Sequence, residues 1–220
     1  TTNNEIWDGS AMSQFDMMEK DTVLVVDNDD NVIGSASKKE SHICNQENPR
    51  GILHRAFSVF LFDECTGEML LQKRASTKIT FPNVWTNTCC SHPLHGMVPR
   101  EVDTPQDVTD GTVYGVKHAA VRKLNHELGI PPHQLLPIIE KFKFLTRLHY
   151  WAVDTVTHGV ESPWVEHEID YVLFITIHNA KNVLTIQPDP DEVEDTLWVT
   201  REELVQRMTK GLWSPWFRIL

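Results

Sequence analysis

A chain of 220 residues suits one large domain better than two small ones. Its 31 acidic side chains outnumber its 20 basic ones, a formal charge of −11 that repels nucleic acid and anionic membrane. The most apolar runs, at residues 56–62 and 171–177, are far shorter than a membrane span, no signal-type apolar stretch opens the chain, and four cysteines point to a reducing compartment rather than a disulfide framework.

Residues 1–20 are polar with scattered apolar side chains and read as a loose arm or short helix ahead of a single domain over 21–220. Val23-Leu24-Val25-Val26 is a strand, Asp27 to Asn31 its turn, and Val32-Ile33-Gly34 the return of a hairpin. Residues 38–51 are polar and irregular. Residues 56–62 carry aromatics and valine on both faces and form a buried strand, which turns at 63–67 and runs back over 69–74. After a loop at 76–82, a short strand at 85–88 leads to Cys89-Cys90-Ser91-His92, where the chain enters a loop before Pro93. Residues 95–110 read as an exposed excursion.

The clearest helix follows. Val113, Val116, Ala120, Val121, Leu124 and Leu128 recur on one face, Asp110 can cap its start, and Gly129 with Pro131-Pro132 ends it. Residues 142–154 and 166–178 are long strands, 182–187 a short one, 188–195 an acidic loop and 197–199 strand-like. Thr200 with Glu203 makes a capping box for a helix to about residue 210, and Trp213-Ser214-Pro215-Trp216 is an aromatic loop. This order predicts an α/β fold of mixed type, a sheet with helices on its faces.

Five groups of side chains could carry chemistry. His42, His54, His92, Glu166 and Glu168 could hold a metal. On a strand Glu166 and Glu168 share a face, where two carboxylates repel unless a cation lies between them. The donor set suits Zn²⁺, Mn²⁺ or Fe²⁺ rather than Ca²⁺, although ordinary surface groups in a chain with eleven histidines would look the same. Cys90 and Glu168 could act from opposite sides of a small substrate, or the thiols could be buried fillers. Lys38-Lys39, Arg55, Lys73-Arg74, Lys78 and Lys123 could gather on a phosphate or stand solvated. Tyr150, Trp151, Trp164, Trp213 and Trp216 could be core, lid or a π face for a cation. Finally, Arg122-x-Leu124-x-x-Glu127-x-Gly129-Ile130 is a thinned Nudix box: Lys123, His126 and Tyr114 stand where glutamates belong, and the one carboxylate left, Glu127, is too little for multi-metal water activation.

Leu53-His54-Arg55-Ala56-Phe57-Ser58, Thr86-Asn87-Thr88-Cys89-Cys90-Ser91-His92-Pro93, Glu127-Leu128-Gly129, Glu166-His167-Glu168-Ile169-Asp170 and Ser214-Pro215-Trp216 together closely resemble the type I isopentenyl-diphosphate delta-isomerases, from about Thr22 to the end of the chain. The resemblance implies a Nudix-like α/β/α sandwich and an enzyme that interconverts isopentenyl and dimethylallyl diphosphate through a tertiary carbocation. By motif it implies Cys90, Glu168, Tyr150 and Trp216 as catalytic groups, and Lys38, Arg74, Lys78 and Lys123 against the diphosphate. It places one divalent metal (Zn²⁺, Mn²⁺ or Mg²⁺) on His42, His54, His92, Glu166 and Glu168, with Glu127 helping to hold Mg²⁺ on the substrate. The partner implied is a small allylic or homoallylic diphosphate, with no nucleic acid or membrane, and the protein is expected to be a monomer. Cytoplasm is the expected compartment, with peroxisome and plastid as the alternatives.

Overall fold

The computed structural model describes residues 12–219; the part of the expected arm on residues 1–11 lies outside them. β1 (Thr22–Val26) and β2 (Val32–Ser37) form the expected hairpin. Asp27 holds its turn by accepting from the backbone N–H groups of Asp29 and Asn31 at 2.9 Å. β3 (His54–Asp63), β4 (Met69–Arg74), β5 (Trp85–Thr86), β6 (Cys89–Ser91), β7 (Lys143–Val153), β8 (Val165–Ile177) and β9 (Val193–Val199) complete, among the described residues, a nine-stranded mixed sheet. β3 is its hub, antiparallel to β1, β4 and β6 and parallel to β8 from His54/Glu168 to Asp63/Ile177. Both faces of β3 are covered, which is why its sequence is bulky on both sides. β7 pairs with β8, and β5 and β9 pair with β4.

The helices are α1 (Gln14–Lys20), α2 (Lys38–Ser41), α3 (Pro105–Asp110), α4 (Tyr114–Leu128), α5 (Pro132–Leu135), α6 (Thr155–His158), α7 (Ala180–Val183), α8 (Arg201–Met208) and α9 (Pro215–Ile219), with a 3₁₀ segment at Leu136–Lys141. The predicted apolar stripe of α4 packs with Phe57, Val59, Leu61, Tyr171, Leu173 and Ile175. The alternate residues of the same strands, Phe60, Val172 and Phe174, pack with Trp213, Trp216 and Phe217. Period-two alternation thus divides β3 and β8 between two cores, one on each face of the sheet.

Several local expectations are corrected. Asp110 does not cap α4; it ends α3, which Gly111 terminates in the left-handed region. The start of α4 is served from a distance by Asp103, which accepts from Gly115 N–H at 2.6 Å and Val116 N–H at 2.8 Å. The excursion at 95–110 is therefore partly ordered around buried acids, Glu101 and Asp103. Residues 38–51 include the one-turn α2, which Ser37 and Glu40 cap reciprocally. Residues 182–187 begin in α7 instead of forming a strand. The aromatic loop at Trp213 runs into a helix at Pro215, a good first helical residue. Of the two readings of the arm, its described part takes the short helix, α1, whose Met17 and Met18 are buried. Thr200 and Glu203 do form the capping box of α8.

Candidate active site

The thiols lie on a strand, not in a loop: β6 pairs antiparallel with β3, Ser58 opposite Cys90 and Val59 opposite Cys89. Adjacent strand residues face opposite ways. Cys89 is wholly buried in the α4-side core, whereas Cys90 opens into a cleft together with Ser91 and His92. Register assembles the rest. His54 is level with Glu168 across β3 and β8, and Tyr150 is level with Glu168 across β7 and β8. Glu166 and Glu168 share the inner face of β8, as their i, i+2 spacing predicts, while His167 turns outward to His149, with 3.1 Å between the two Nε2 atoms.

His42, His54, His92, Glu166 and Glu168 are all buried, with ligand atoms within 4.8 Å of one another. The side chains are oriented from behind. His42 Nδ1 is 2.6 Å from the Lys38 carbonyl and His54 Nδ1 is 2.7 Å from the Ile52 carbonyl, so each Nδ1–H donates outward and each Nε2 lone pair faces the cluster. Among the described residues, His54 Nε2 makes no hydrogen bond and lies 3.5 Å from Glu168 Oε1, and Glu166 Oε2 meets only the inward-facing His42 Nε2, at 2.9 Å. Three inward imidazoles, two carboxylates and orphaned donor atoms suit a divalent ion. Without one, burial disfavours the charged form of His42, but the Glu166 carboxylate at 2.9 Å outweighs it and the net shift is upward. Burial and the neighbouring imidazoles push His92 well below its ordinary range.

Glu168 ties the cluster to the cleft. Its Oε1 is 2.8 Å from His92 Nε2, and its Oε2 accepts from the Tyr150 hydroxyl. Burial alone would raise its pKa, but His54 and Tyr150 hold it below the ordinary carboxylate value. Cys90 shares the cleft; burial pushes its thiol up to about 12 against the pull of Arg74, whose Nη1 is 3.9 Å from Sγ. Trp216 closes one wall. Its Nε1–H donates to Thr86 Oγ1 at 2.9 Å, and Phe81 meets its ring edge-on at 5.4 Å between centroids.

Lys38, Arg74, Lys78 and Lys123, expected on a phosphate, all line the same cleft. Burial, with Lys78 and Lys123 nearby, lowers the pKa of Lys38 to about 8. Arg74 is already engaged, donating to the Phe81 carbonyl at 2.9 Å and the Thr80 carbonyl at 2.8 Å, with its guanidinium 5.6 Å from the Trp216 ring centroid. Glu127 also faces the cleft but stands apart from the His/Glu cluster, pairing with Lys123 at 3.2 Å and accepting from Gln72 at 3.0 Å. Other candidates lie elsewhere. Arg55 is buried against Asp30, Lys39 pairs with Glu19, Lys73 pairs with Glu194, and Trp151 is exposed. Gln14 and Met18, which α1 supplies to the cleft, and Ser58, opposite Cys90 on β3, are not among the residues expected from the sequence. No local pattern marks them, although the β-alternation of residues 54–62 puts Ser58 on the same face as His54.

A NUDIX domain model matches residues 52–217. The chain is 44% identical to isopentenyl-diphosphate delta-isomerase IDI1 of Gibberella zeae over 96% of this chain and 76% of that protein. It is 43% identical to the isopentenyl-diphosphate delta-isomerase of Candida albicans over 100% of this chain and 76% of that one. Isopentenyl-diphosphate Delta-isomerase 1 of Bos taurus is also 43% identical, over 90% of this chain and 79% of its own length. Among solved structures, DR0079 from Deinococcus radiodurans superposes with a TM-score of 0.53 at 14% identity, over 90% of this chain and 96% of that one, a likeness of fold.

Proposed function

The chain belongs to the isopentenyl-diphosphate delta-isomerases of the Nudix superfamily, and from that premise we propose how its cleft works. The enzyme interconverts isopentenyl and dimethylallyl diphosphate, a step of isoprenoid biosynthesis. Moving the double bond adds one proton at one end of the five-carbon unit and removes one at the other, with a tertiary carbocation between. Two groups are needed, one to give a proton and one to take it, exchanging roles with the direction of reaction. Cys90 and Glu168 are those groups, and the Tyr150 hydroxyl, bonded to Glu168, passes protons on that side.

The surroundings suit this chemistry. His42, His54, His92, Glu166 and Glu168 hold a divalent ion, Zn²⁺, Mn²⁺ or Mg²⁺, which when bound makes the acid form of Glu168 stronger. Lys38, Lys78 and Lys123 hold the diphosphate, Arg74 lies beside it, and Glu127 helps to hold its accompanying Mg²⁺. Trp216 excludes water, which would trap the cation as an alcohol, and offers a π face to the positive charge. A hydrolase with this fold would need more carboxylates on α4 than Glu127 supplies.

The observation that carries the reading is that Cys90 and Glu168 open into one cleft with the lysines gathered on it. Incubation with isopentenyl diphosphate and Mg²⁺ tests it: the dimethylallyl isomer should accumulate without phosphate release, and folded Glu168→Gln protein should form none. Phosphate release in place of isomer would refute it.

A further inference from the structure

Glu192 lies just before β9, is 3% exposed and has no part in the mechanism above. Its Oε2 accepts from Lys78 Nζ at 2.6 Å and lies 3.9 Å from Lys123 Nζ. Its Oε1 accepts from Gln14 Nε2 at 2.7 Å and lies 3.9 Å from His126 Nδ1. Lys78, Lys123 and Gln14 line the reaction cleft, whereas Glu192 lines an adjoining cavity with His126, Asp189 and Asp191. The carboxylate therefore reaches the two lysines from behind, out of the space a substrate would fill. Its backbone is fixed as well: the Glu192 carbonyl accepts from Ala75 N–H, and its N–H donates to the Asp189 carbonyl, both at 3.0 Å. Ala75 opens the loop that carries Lys78.

Resting on the isomerase reading, we propose that Glu192 is a positioning residue for the substrate's diphosphate, the buried anion that keeps Lys78 and Lys123 together where phosphate oxygens meet them. Lys38, Arg74, Lys78 and Lys123 bring four like charges to one cleft. Long flexible cations so placed repel and disperse toward solvent unless a fixed anion gathers them. Glu127 faces Lys123 at 3.2 Å, and Glu192 joins Lys123 to Lys78. Because Glu192 sits behind the lysines, substrate need not displace it. Ordering the cations before binding removes a cost that each diphosphate would otherwise meet.

Glu192→Gln and Glu192→Asp test this in the full chain, with steady-state isomerisation and with binding of inorganic pyrophosphate plus Mg²⁺ by calorimetry. Glu192→Gln should raise KM and the pyrophosphate Kd together by about tenfold or more while kcat stays within about threefold, and Glu192→Asp should shift both in the same direction by less. Unchanged or lower KM and Kd in folded Glu192→Gln, even with a reduced Tm, would overturn the proposal by showing a structural role only. So would a fall in kcat at constant KM. If Glu192→Gln does not fold, Glu192→Asp decides: KM and Kd that both match the wild type overturn the proposal. A wild-type protein that binds pyrophosphate but does not isomerise would sink the assigned reaction, while the pyrophosphate comparison still judges Glu192.

Discussion

Neighbouring residues on a strand face opposite sides of the sheet, and this separates two adjacent thiols. Cys89 fills the α4-side core and burial raises its thiol well above the ordinary range, whereas Cys90 faces the cleft and Arg74. The two should respond differently to the same change. Cys90→Ala should lower kcat by about 10³-fold or more, within the range for losing a positioned acid or base, with Tm nearly unchanged. Cys89→Ala should leave kcat near wild type and cost about 1 kcal/mol of stability through lost packing. Turnover assays beside thermal melts of both variants check the pair; normal turnover by Cys90→Ala would remove the sulfur from the mechanism.

Among the elements, α4 bears the heaviest positional demand, because it brings Lys123 and Glu127 to the cleft while its other face forms a core. Its end is fixed by Gly129 at φ +63°, where a Cβ would come within 2.3 Å of the Gln187 carbonyl oxygen. That approach exists because Gln187 N–H donates to the Leu128 carbonyl at 2.8 Å, tying the helix end to the segment before β9. Gly129→Ala meets both the left-handed backbone and the contact, so it should cost about 2 kcal/mol or more in denaturant unfolding. It should also raise KM, because the strain falls on the segment that leads to Glu192. An unchanged unfolding midpoint would show that Gln187 moves aside freely.

For the whole molecule, the cleft is a meeting place of distant segments: His42 follows α2, His54 opens β3, His92 follows β6, and Glu166 and Glu168 lie on β8. An ion bound by all of them ties these segments together in the folded state and has no such site in the unfolded chain. Removing metal with a chelator should therefore abolish isomerisation and lower Tm, both recovering when Zn²⁺, Mn²⁺ or Mg²⁺ is returned. The Tm shift, about 2.7 kcal/mol in stability at a free ion concentration a hundred times Kd, should vanish in His54→Ala. Acid should act behind the cleft, in the adjoining cavity lined by His126 and Glu192. Burial, with Lys123 close by, lowers His126 to about 4, so the unfolded chain binds more protons than the folded one between about pH 6.5 and 4, and stability falls as pH drops through that window. Burial opposes ionisation of Glu192, but Lys123 and Lys78 hold its carboxyl well below the ordinary value, so its contribution is present above about pH 4.5 and is lost on further acidification. Melts across this range should show Tm falling from about pH 6.5 downward, with a smaller fall above pH 4.5 in His126→Gln.

Periodicity and local chemistry alone determined the hairpin at Val23, the two-faced strand at 56–62, the apolar stripe of α4, the Thr200 capping box and the shared face of Glu166 and Glu168. Each depends on residues within a few positions of one another, where side-chain direction repeats regularly. The motifs around Cys90 and Glu168 likewise carried the family and the candidate residues. The remaining features depend on register and on partners far along the chain. Asp103, not Asp110, serves the start of α4 because it is brought to the helix from across a loop. Cys89 and Cys90 lie on a strand because β3 supplies their hydrogen bonds. Arg74 is seated by the carbonyls of Thr80 and Phe81, and α1 reaches the cleft with Gln14. Glu192, 69 positions from Lys123 (192 − 123) in sequence, comes within 3.9 Å of it only in the fold. A contact between distant segments follows from how strands pair and helices pack, and no local spacing encodes it.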